Sequence, residues 1–371
     1  MPKISRTNKS KSRRGLLRTA HGSLLTPFFM PDATRGFVKL TDNEAVRRTG
    51  TAALVVNTFH LYLQPGLDLI KKAGGLHKFM DWSGPLLSDS GGYQVFSLIH
   101  RNPRAGKITD DKVIFRSPLD GSRQELTPEK SIQIQFVLGT DMMVCLDDCP
   151  PNEFSRGDLE KAVARTIAWA KRCKIEYLKQ IKKRKLSGRK RPLLFAVIQG
   201  GAEIDLREYC TRELVKIGFD GYGFGARPVD KAGKFLDQVL RRTAEFIPPD
   251  AWRFALGIGT PRDIMRCASM GWDMFDCVIP TREGRHGKLF LLSSGKNAAG
   301  LKYDSLNINN ARFAADWRPI NAASSLPELK KTSRAYLHHL FRLNDPLGQR
   351  LASLNNLEFY QIWLKEIYRS R

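Results

Sequence analysis

The chain has 371 residues, of which 61 are Lys or Arg and 37 Asp or Glu, a formal net charge of +24. A hydrophobic share of 42% with 26% charged residues belongs to a folded globular protein and excludes a disordered chain. So large a cationic excess points to a polyanionic partner, nucleic acid first, because each Lys or Arg that neutralises a phosphate releases a counterion.

Residues 1–15, MPKISRTNKSKSRRG, form a basic segment without the apolar stretch of a secretory signal. No apolar run reaches the roughly 18 residues that cross a bilayer, so a soluble, cytoplasmic protein that does not enter membranes is expected. Lys3, Arg6, Lys9, Lys11, Arg13 and Arg14 make one basic run, and Lys182, Lys183, Arg184, Lys185, Arg189, Lys190 and Arg191 make another. Each run suits phosphate contact and a solvated chain end equally well. Six cysteines (Cys145, Cys149, Cys173, Cys210, Cys267, Cys277) show no CxxC pair and no Cys/His cluster, and read as reduced, mostly buried thiols.

Eight short apolar runs follow in order: LLTPFFM (24–30), AALVVNT (52–58), GPLLSDS (84–90), DMMVCLD (141–147), PLLFAVIQ (192–199), FDGYGFG (219–225), WRFALGI (252–258) and WDMFDCV (272–278). Each predicts a buried strand. Helical signals lie between them at 41–48, 127–139, 158–185, 205–217, 230–246 and 260–269, and Thr127 before Pro128 and Glu129 marks an N-cap. Strands alternating with helices predict an α/β fold, a (β/α)8 TIM barrel over residues 16–300. An open doubly wound sheet is disfavoured because its Gly-rich phosphate fingerprint is missing. Residues 301–371 change character, with apolar residues at helical spacing (Tyr336, Leu337, Leu340, Phe341; Leu357, Tyr360, Leu364), and predict a small helical subdomain packed on the barrel.

Barrel enzymes gather their chemistry at the C-terminal ends of the strands. Here those ends read Asn57, Asp89 with Ser90, Asp147 with Asp148, Gln199, the Gly225 turn, Gly257 and Asp276. Any one alone reads as a loop or cap residue. Several carboxylates converging on one mouth cost energy unless a substrate or a proton uses them, which favours a functional site.

The motif SDSGGYQVFS (88–97) joins NTFHLYLQPG (57–66), GGLHKFMDW (74–82), the long block 120–149, VIQGG (197–201), FDGYGFG (219–225), ALGIG (255–259), GWDMFDCVIPTREGRHGKLF (271–290) and SRAYLHHLF (333–341). In this order and coverage the chain resembles the tRNA-guanine transglycosylase family. The resemblance implies an enzyme of tRNA modification and queuosine biosynthesis, a glycosyltransferase on a (β/α)8 barrel. Such an enzyme exchanges guanine in a tRNA anticodon loop for a 7-deazaguanine base. Retention at C1′ is most simply achieved by two displacements, so one carboxylate attacks the sugar and another group shuttles a proton. Carried over by motif, Asp276 is the nucleophile of a covalent ribosyl intermediate and Asp89 the general acid/base. Tyr93 and Leu256 stack on the base, and Asp147 accepts from its N1–H and amino group. Gln199 and a backbone N–H of the Gly225–Ala226 turn donate to O6, with Ser90 and Gly257 alongside. Arg282 and Arg285 hold the anticodon loop. Two chains pair in bacterial relatives, so a homodimer is a further implication.

Two departures stand out. The family's C-terminal zinc ligands correspond here to Ser324, Leu326, Leu329 and Asn355, a set unsuited to zinc. Neither structural zinc nor another cofactor is therefore expected, with Leu326 and Leu329 packing in its place. The family's Gly-Gly-Leu turn and following Glu correspond to Gly225, Ala226, Arg227 and Lys231, a more positive edge that disfavours a base bearing an aminomethyl cation. A neutral or nitrile-bearing 7-deazaguanine, a queuine-like base and plain guanine remain open. Cys145 and Cys149, flanking Asp147, are read as packing. The alternative is a zinc-free paralogue that binds tRNA or another nucleic acid, or serves as a partner subunit, with little exchange. The retained carboxylates favour the enzyme, and the basic charge argues against a third reading, a barrel glycosidase acting on sugars.

Overall fold

The computed structural model describes residues 4–6, 13–151, 154–297 and 300–369. Of the basic segment, residues 1–3 and 7–12 lie outside the described residues. Eight parallel strands form the central sheet: β1 (Phe28–Pro31), β2 (Leu54–Val56), β3 (Leu86–Ser88), β4 (Met142–Val144), β5 (Leu193–Ile198), β6 (Gly221–Phe224), β7 (Trp252–Ala255) and β8 (Met274–Cys277). Each coincides with one of the eight apolar runs. Neighbours pair in sequence order from β2 round to β8, and β8 pairs with β1. The ring draws closed where Asp32 bridges Val55 and the Ala33 N–H donates to the Val55 carbonyl at 2.7 Å.

The two-residue period of these strands sorts their side chains into two layers. Phe28, Met30, Val55, Leu87, Met142, Val144, Phe195, Val197, Phe254 and Met274 fill the barrel interior. Phe29, Ala196, Ile198, Tyr222, Phe224, Ala255 and Phe275 face the helices. On β6 the inward positions are glycines, because a Cβ at Gly221 or Gly223 would sit 2.5 Å from Phe195 or 2.4 Å from Leu256. The interior is thus a packed core with its polar residues displaced to one end.

Two expectations need correction. The run 24–30 is not one strand: Gly22–Leu25 pairs with Arg13–Thr19 in an antiparallel hairpin, and β1 starts only after Pro27, which has no N–H to share. Leu17 and Leu24 of that hairpin plug the barrel floor. The helix expected over 230–246 begins at Asp237. Asp230 accepts from the Lys234 N–H at 2.8 Å and Gly233 takes φ 78°, so residues 230–236 close a turn bridged by Val229 and Phe235. Sequence reading also missed the three-stranded meander of Gly106–Ile108, Val113–Arg116 and Arg123–Leu126.

Among the described residues, Arg13 and the second basic run lie away from the barrel mouth. Arg13 is buried, its Nε 3.1 Å from Asp273 and its Nη2 donating to the Ala251 carbonyl. Lys182, Lys183 and Arg184 close the long helix Arg156–Arg184, and Arg191 pairs with Asp220 at 2.6 Å ahead of β5, at the end opposite the strands' C-termini. No helix among the described residues is long and apolar enough to cross a membrane.

Beyond β8 a hairpin of Lys288–Asn297 and Gly300–Asn307 runs across the expected 300/301 boundary. The last helix, Pro346–Arg369, lies against the helix Ile279–Arg285 and against β1. Its Tyr360 and Trp363 are buried and donate to the carbonyls of Gly259 and Pro261 at 2.5 and 3.3 Å. The C-terminal part therefore supplies a piece of the barrel wall as well as a layer of its own. In that layer Leu326 and Leu329 are fully packed among Ile320, Leu337, Leu340 and Leu354. Ser324 donates to the buried Glu358 carboxylate, which also accepts from the Ser325 N–H and hydroxyl. The Asn355 amide donates to the Phe290 carbonyl at 2.9 Å and its oxygen accepts from Asn321 at 3.1 Å. Two leucines without a donor atom, beside a hydroxyl and an amide already committed, do not fit a zinc ion.

Candidate active site

Continued past the strand ends, the inward alternation delivers polar groups to one layer at the barrel mouth: Asp32 after Met30, Asn57 after Val55, Asp89 after Leu87, Gln199 after Val197, and Asp276 after Met274. A cavity of about 760 Å³ opens there, with Asp32, Asp89, Asp147 and Asp276 in its lining.

Asp89 and Asp276 therefore share one cavity, from strands separated in the ring by β1 and β2. Asp89 is held by the Asn57 amide at 2.5 Å and by the N–H groups of Thr58 and Gly91 at 2.8 and 3.1 Å. Burial pushes its carboxyl up to about 7 against these amides, and the charges of Asp276 and Asp32 add to the rise. Asp276 accepts from the Gly257 N–H at 2.9 Å, and burial pushes it up to about 6. Two carboxyls raised toward neutrality in one cavity are groups of the kind that can carry a proton or attack an electrophilic carbon.

A second subsite lies at Asp147, pushed up to about 6 by burial, with Asp148 adding to the rise. Gln199 donates to Asp147 at 2.6 Å, and its own carbonyl oxygen is buried with no partner among the described residues. Gly225 must be glycine, since a Cβ there would lie 2.4 Å from the Gln199 amide nitrogen. Its N–H is spent on the Ile198 carbonyl at 3.0 Å, whereas the Ala226 N–H faces the Cys149 sulfur. Ala226 holds φ 80°, a conformation that costs a residue with a Cβ.

Sequence reading passed over the group that fixes both turns. Arg207 is fully buried on the helix Ile204–Ile217, donates to the carbonyls of Gly201, Ile198 and Gly225 at 2.7, 3.2 and 2.9 Å, and lies 3.9 Å over the Phe224 ring. An arginine on a helix's apolar face was its signal. Asp32 was also missed, although the alternation of Phe28 and Met30 leads directly to it.

The remaining predicted residues sort by depth. Tyr93 lines the cavity 56% exposed, on the helix Gly92–Arg101, and Leu256 and Ser90 line it from deeper positions. Ser90 Oγ accepts from the Gly92 N–H at 3.2 Å. Arg282 stands at the rim, half exposed, while Arg285 lies outside the lining and is felt electrostatically by Asp32. Arg227 lines the cavity and Lys231 does not. Cys145 is buried behind β4, and Cys149 lines the cavity with its thiol pushed up to about 12 by burial.

The one other grouping of ligand-type side chains among the described residues is His21, His77 and Asp141. Asp141 directly precedes β4, so the group lies at the barrel floor. The rings stack 3.6 Å apart, and Asp141 accepts from the His21 ring nitrogen at 2.9 Å and the Leu86 N–H at 3.0 Å. This ties the floor hairpin to the barrel.

The family model for Queuine tRNA-ribosyltransferase matches residues 8–370. A protein described as Queuine tRNA-ribosyltransferase from Staphylococcus aureus (strain bovine RF122 / ET3-1) is 40% identical over 367 residues, 98% of this chain and 90% of its own. The proteins of that description from strains JH9 and JH1 match to the same extent.

Proposed function

The chain belongs to the queuine tRNA-ribosyltransferase family and is a tRNA-guanine transglycosylase, and from that premise we propose that it works by double displacement at the barrel mouth. The observation that carries the reading is the meeting of Asp89 and Asp276 in one cavity, both carboxyls raised by burial. The Asp276 carboxylate attacks C1′ of the target guanosine. The glycosidic bond breaks, and guanine leaves with the bonding pair and a proton from Asp89. In the second half Asp89 takes the N9 proton of the incoming 7-deazaguanine, whose nitrogen attacks C1′ and releases the Asp276 carboxylate.

The base is read at the second subsite. Asp147 accepts from N1–H and the exocyclic amine, while the Gln199 amide, one hydrogen on Asp147, turns the other toward O6 together with the Ala226 N–H. Tyr93 and Leu256 supply stacking faces, and Ser90 and Gly257 border the base. Arg282 and Arg285 hold the anticodon loop. Arg227 brings a fixed positive charge to the cavity, which favours an incoming base uncharged at its 7-substituent. The direct test is incubation with labelled guanine and a tRNA pool. Label should enter the tRNA, and tRNA binding without incorporation would overturn the reading in favour of a binding protein.

The C-terminal layer is proposed to hold without the family's zinc, on Glu358 and its three donors. Glu358→Ala strands the buried Ser324 hydroxyl and takes the partner from the part-buried Ser325 N–H, and should cost about 1–3 kcal/mol. Urea unfolding would read this as a lower midpoint, while a chelator should leave the wild-type midpoint in place.

A further inference from the structure

One carboxylate of the cavity has no part in the exchange described above. Asp32 follows the last residue of β1, and the register that sets Met30 against Asp276 and Pro31 against Cys277 brings it alongside the nucleophile. Met30 faces the barrel interior, and the two-residue period carries Asp32 to the same side, where it lines the cavity. Its charge contributes to the rise of both the Asp89 and the Asp276 carboxyls.

The protein offers Asp32 little in return. Thr34 donates its hydroxyl at 2.7 Å and its N–H, and among the described residues Asp32 makes no ion pair. Burial raises its pKa, while Thr34 and the more distant Arg285 and His60 lower it. Three carboxylates around one point are costly unless a ligand brings donors to them.

Chemistry narrows the donor. The base edge is served at Asp147, which is paired with Gln199 and raised by burial and by Asp148. Asp32 instead flanks the two groups assigned to the anomeric carbon, which puts it at the sugar. Within an RNA chain the 3′ and 5′ oxygens are esterified, and phosphates only accept hydrogen bonds and repel a carboxylate. The sugar's remaining donor is the 2′-hydroxyl, on the carbon next to C1′. We propose that Asp32 accepts a hydrogen bond from the 2′-hydroxyl of the target nucleoside, so that the site selects a ribonucleoside over a deoxyribonucleoside through this side chain.

The inference rests on the double-displacement reading, and its test separates the two. Two anticodon stem-loops, identical except for a ribose or a 2′-deoxyribose at the target guanosine, are assayed for kcat/KM of exchange with wild type, Asp32→Ala and Asp32→Asn. Thermal melting checks that the variants fold. The ribo-to-deoxy preference of wild type should shrink roughly 10- to 100-fold in Asp32→Ala, the range of one hydrogen bond to a charged group. Asp32→Asn keeps an acceptor oxygen and should fall between. An Asp32→Ala protein that exchanges with undiminished preference overturns this inference alone. A wild type that exchanges neither stem-loop overturns the enzyme reading and this inference with it.

Discussion

Asp276→Asn should lose guanine exchange by roughly 10⁴-fold or more, the scale on which removal of a nucleophile acts, while anticodon stem-loop affinity stays near wild type. Asparagine is nearly isosteric and keeps an oxygen for the Gly257 N–H, now 2.9 Å from Asp276. The loss is therefore chemical, and a melting experiment should show it. A carboxyl whose folded pKa stands above its unfolded value lowers stability once the pH passes the unfolded value. Asp276, pushed up to about 6, is such a group, so the neutral variant should melt no lower than wild type at pH 7. Mass spectrometry of protein quenched with stem-loop RNA supplies the decisive readout. Wild type should carry a covalent RNA adduct and Asp276→Asn none. An adduct persisting in the variant would remove Asp276 from the role of nucleophile.

The barrel was legible because its strands are buried on both faces, so each is a short apolar run, and all eight fall where such runs occur. What failed was local. LLTPFFM is continuous in hydrophobicity yet divides at Pro27, because hydropathy does not register a missing N–H. The 230–246 segment carries a helical pattern whose first seven residues are overruled by the Asp230 turn. At the site, polar residues closing apolar runs were visible as such. Arg207 was not, since its role is to hold three carbonyls from two turns more than 20 residues apart in sequence, and only packing brings those turns together. Glu358 was hidden for the same reason. Its serine partners lie more than 30 residues earlier, and the positions inspected for zinc did not include it.

Asp89→Asn is the other large effect, because one side chain is asked to act as acid in the first half-reaction and base in the second. Loss of general acid/base catalysis should lower kcat by about 10²–10⁴. The substitution also disturbs a donor set that the carboxylate now satisfies, because an NH2 in place of either oxygen faces the Asn57 amide or the Thr58 and Gly91 N–H groups. Asp89→Ala controls for that misfit and should be equally slow. The pH profile distinguishes a proton carrier from a merely structural residue. Exchange needs Asp276 ionised, which favours pH above about 6, and Asp89 still protonated for the first departure, which favours pH below about 7. Because the Asp276 charge adds to the rise of the Asp89 carboxyl, the alkaline limb reports the pair. Wild type should therefore give a narrow bell close to neutrality, with kcat falling on the alkaline side as Asp89 loses its proton. In both Asp89 variants the alkaline limb should vanish. The acid limb should persist near its wild-type position, since Asp89 is already protonated and neutral while Asp276 titrates. An alkaline limb retained in Asp89→Ala would place the shuttled proton on another group and leave Asp89 as an anchor for the Thr58 and Gly91 amides.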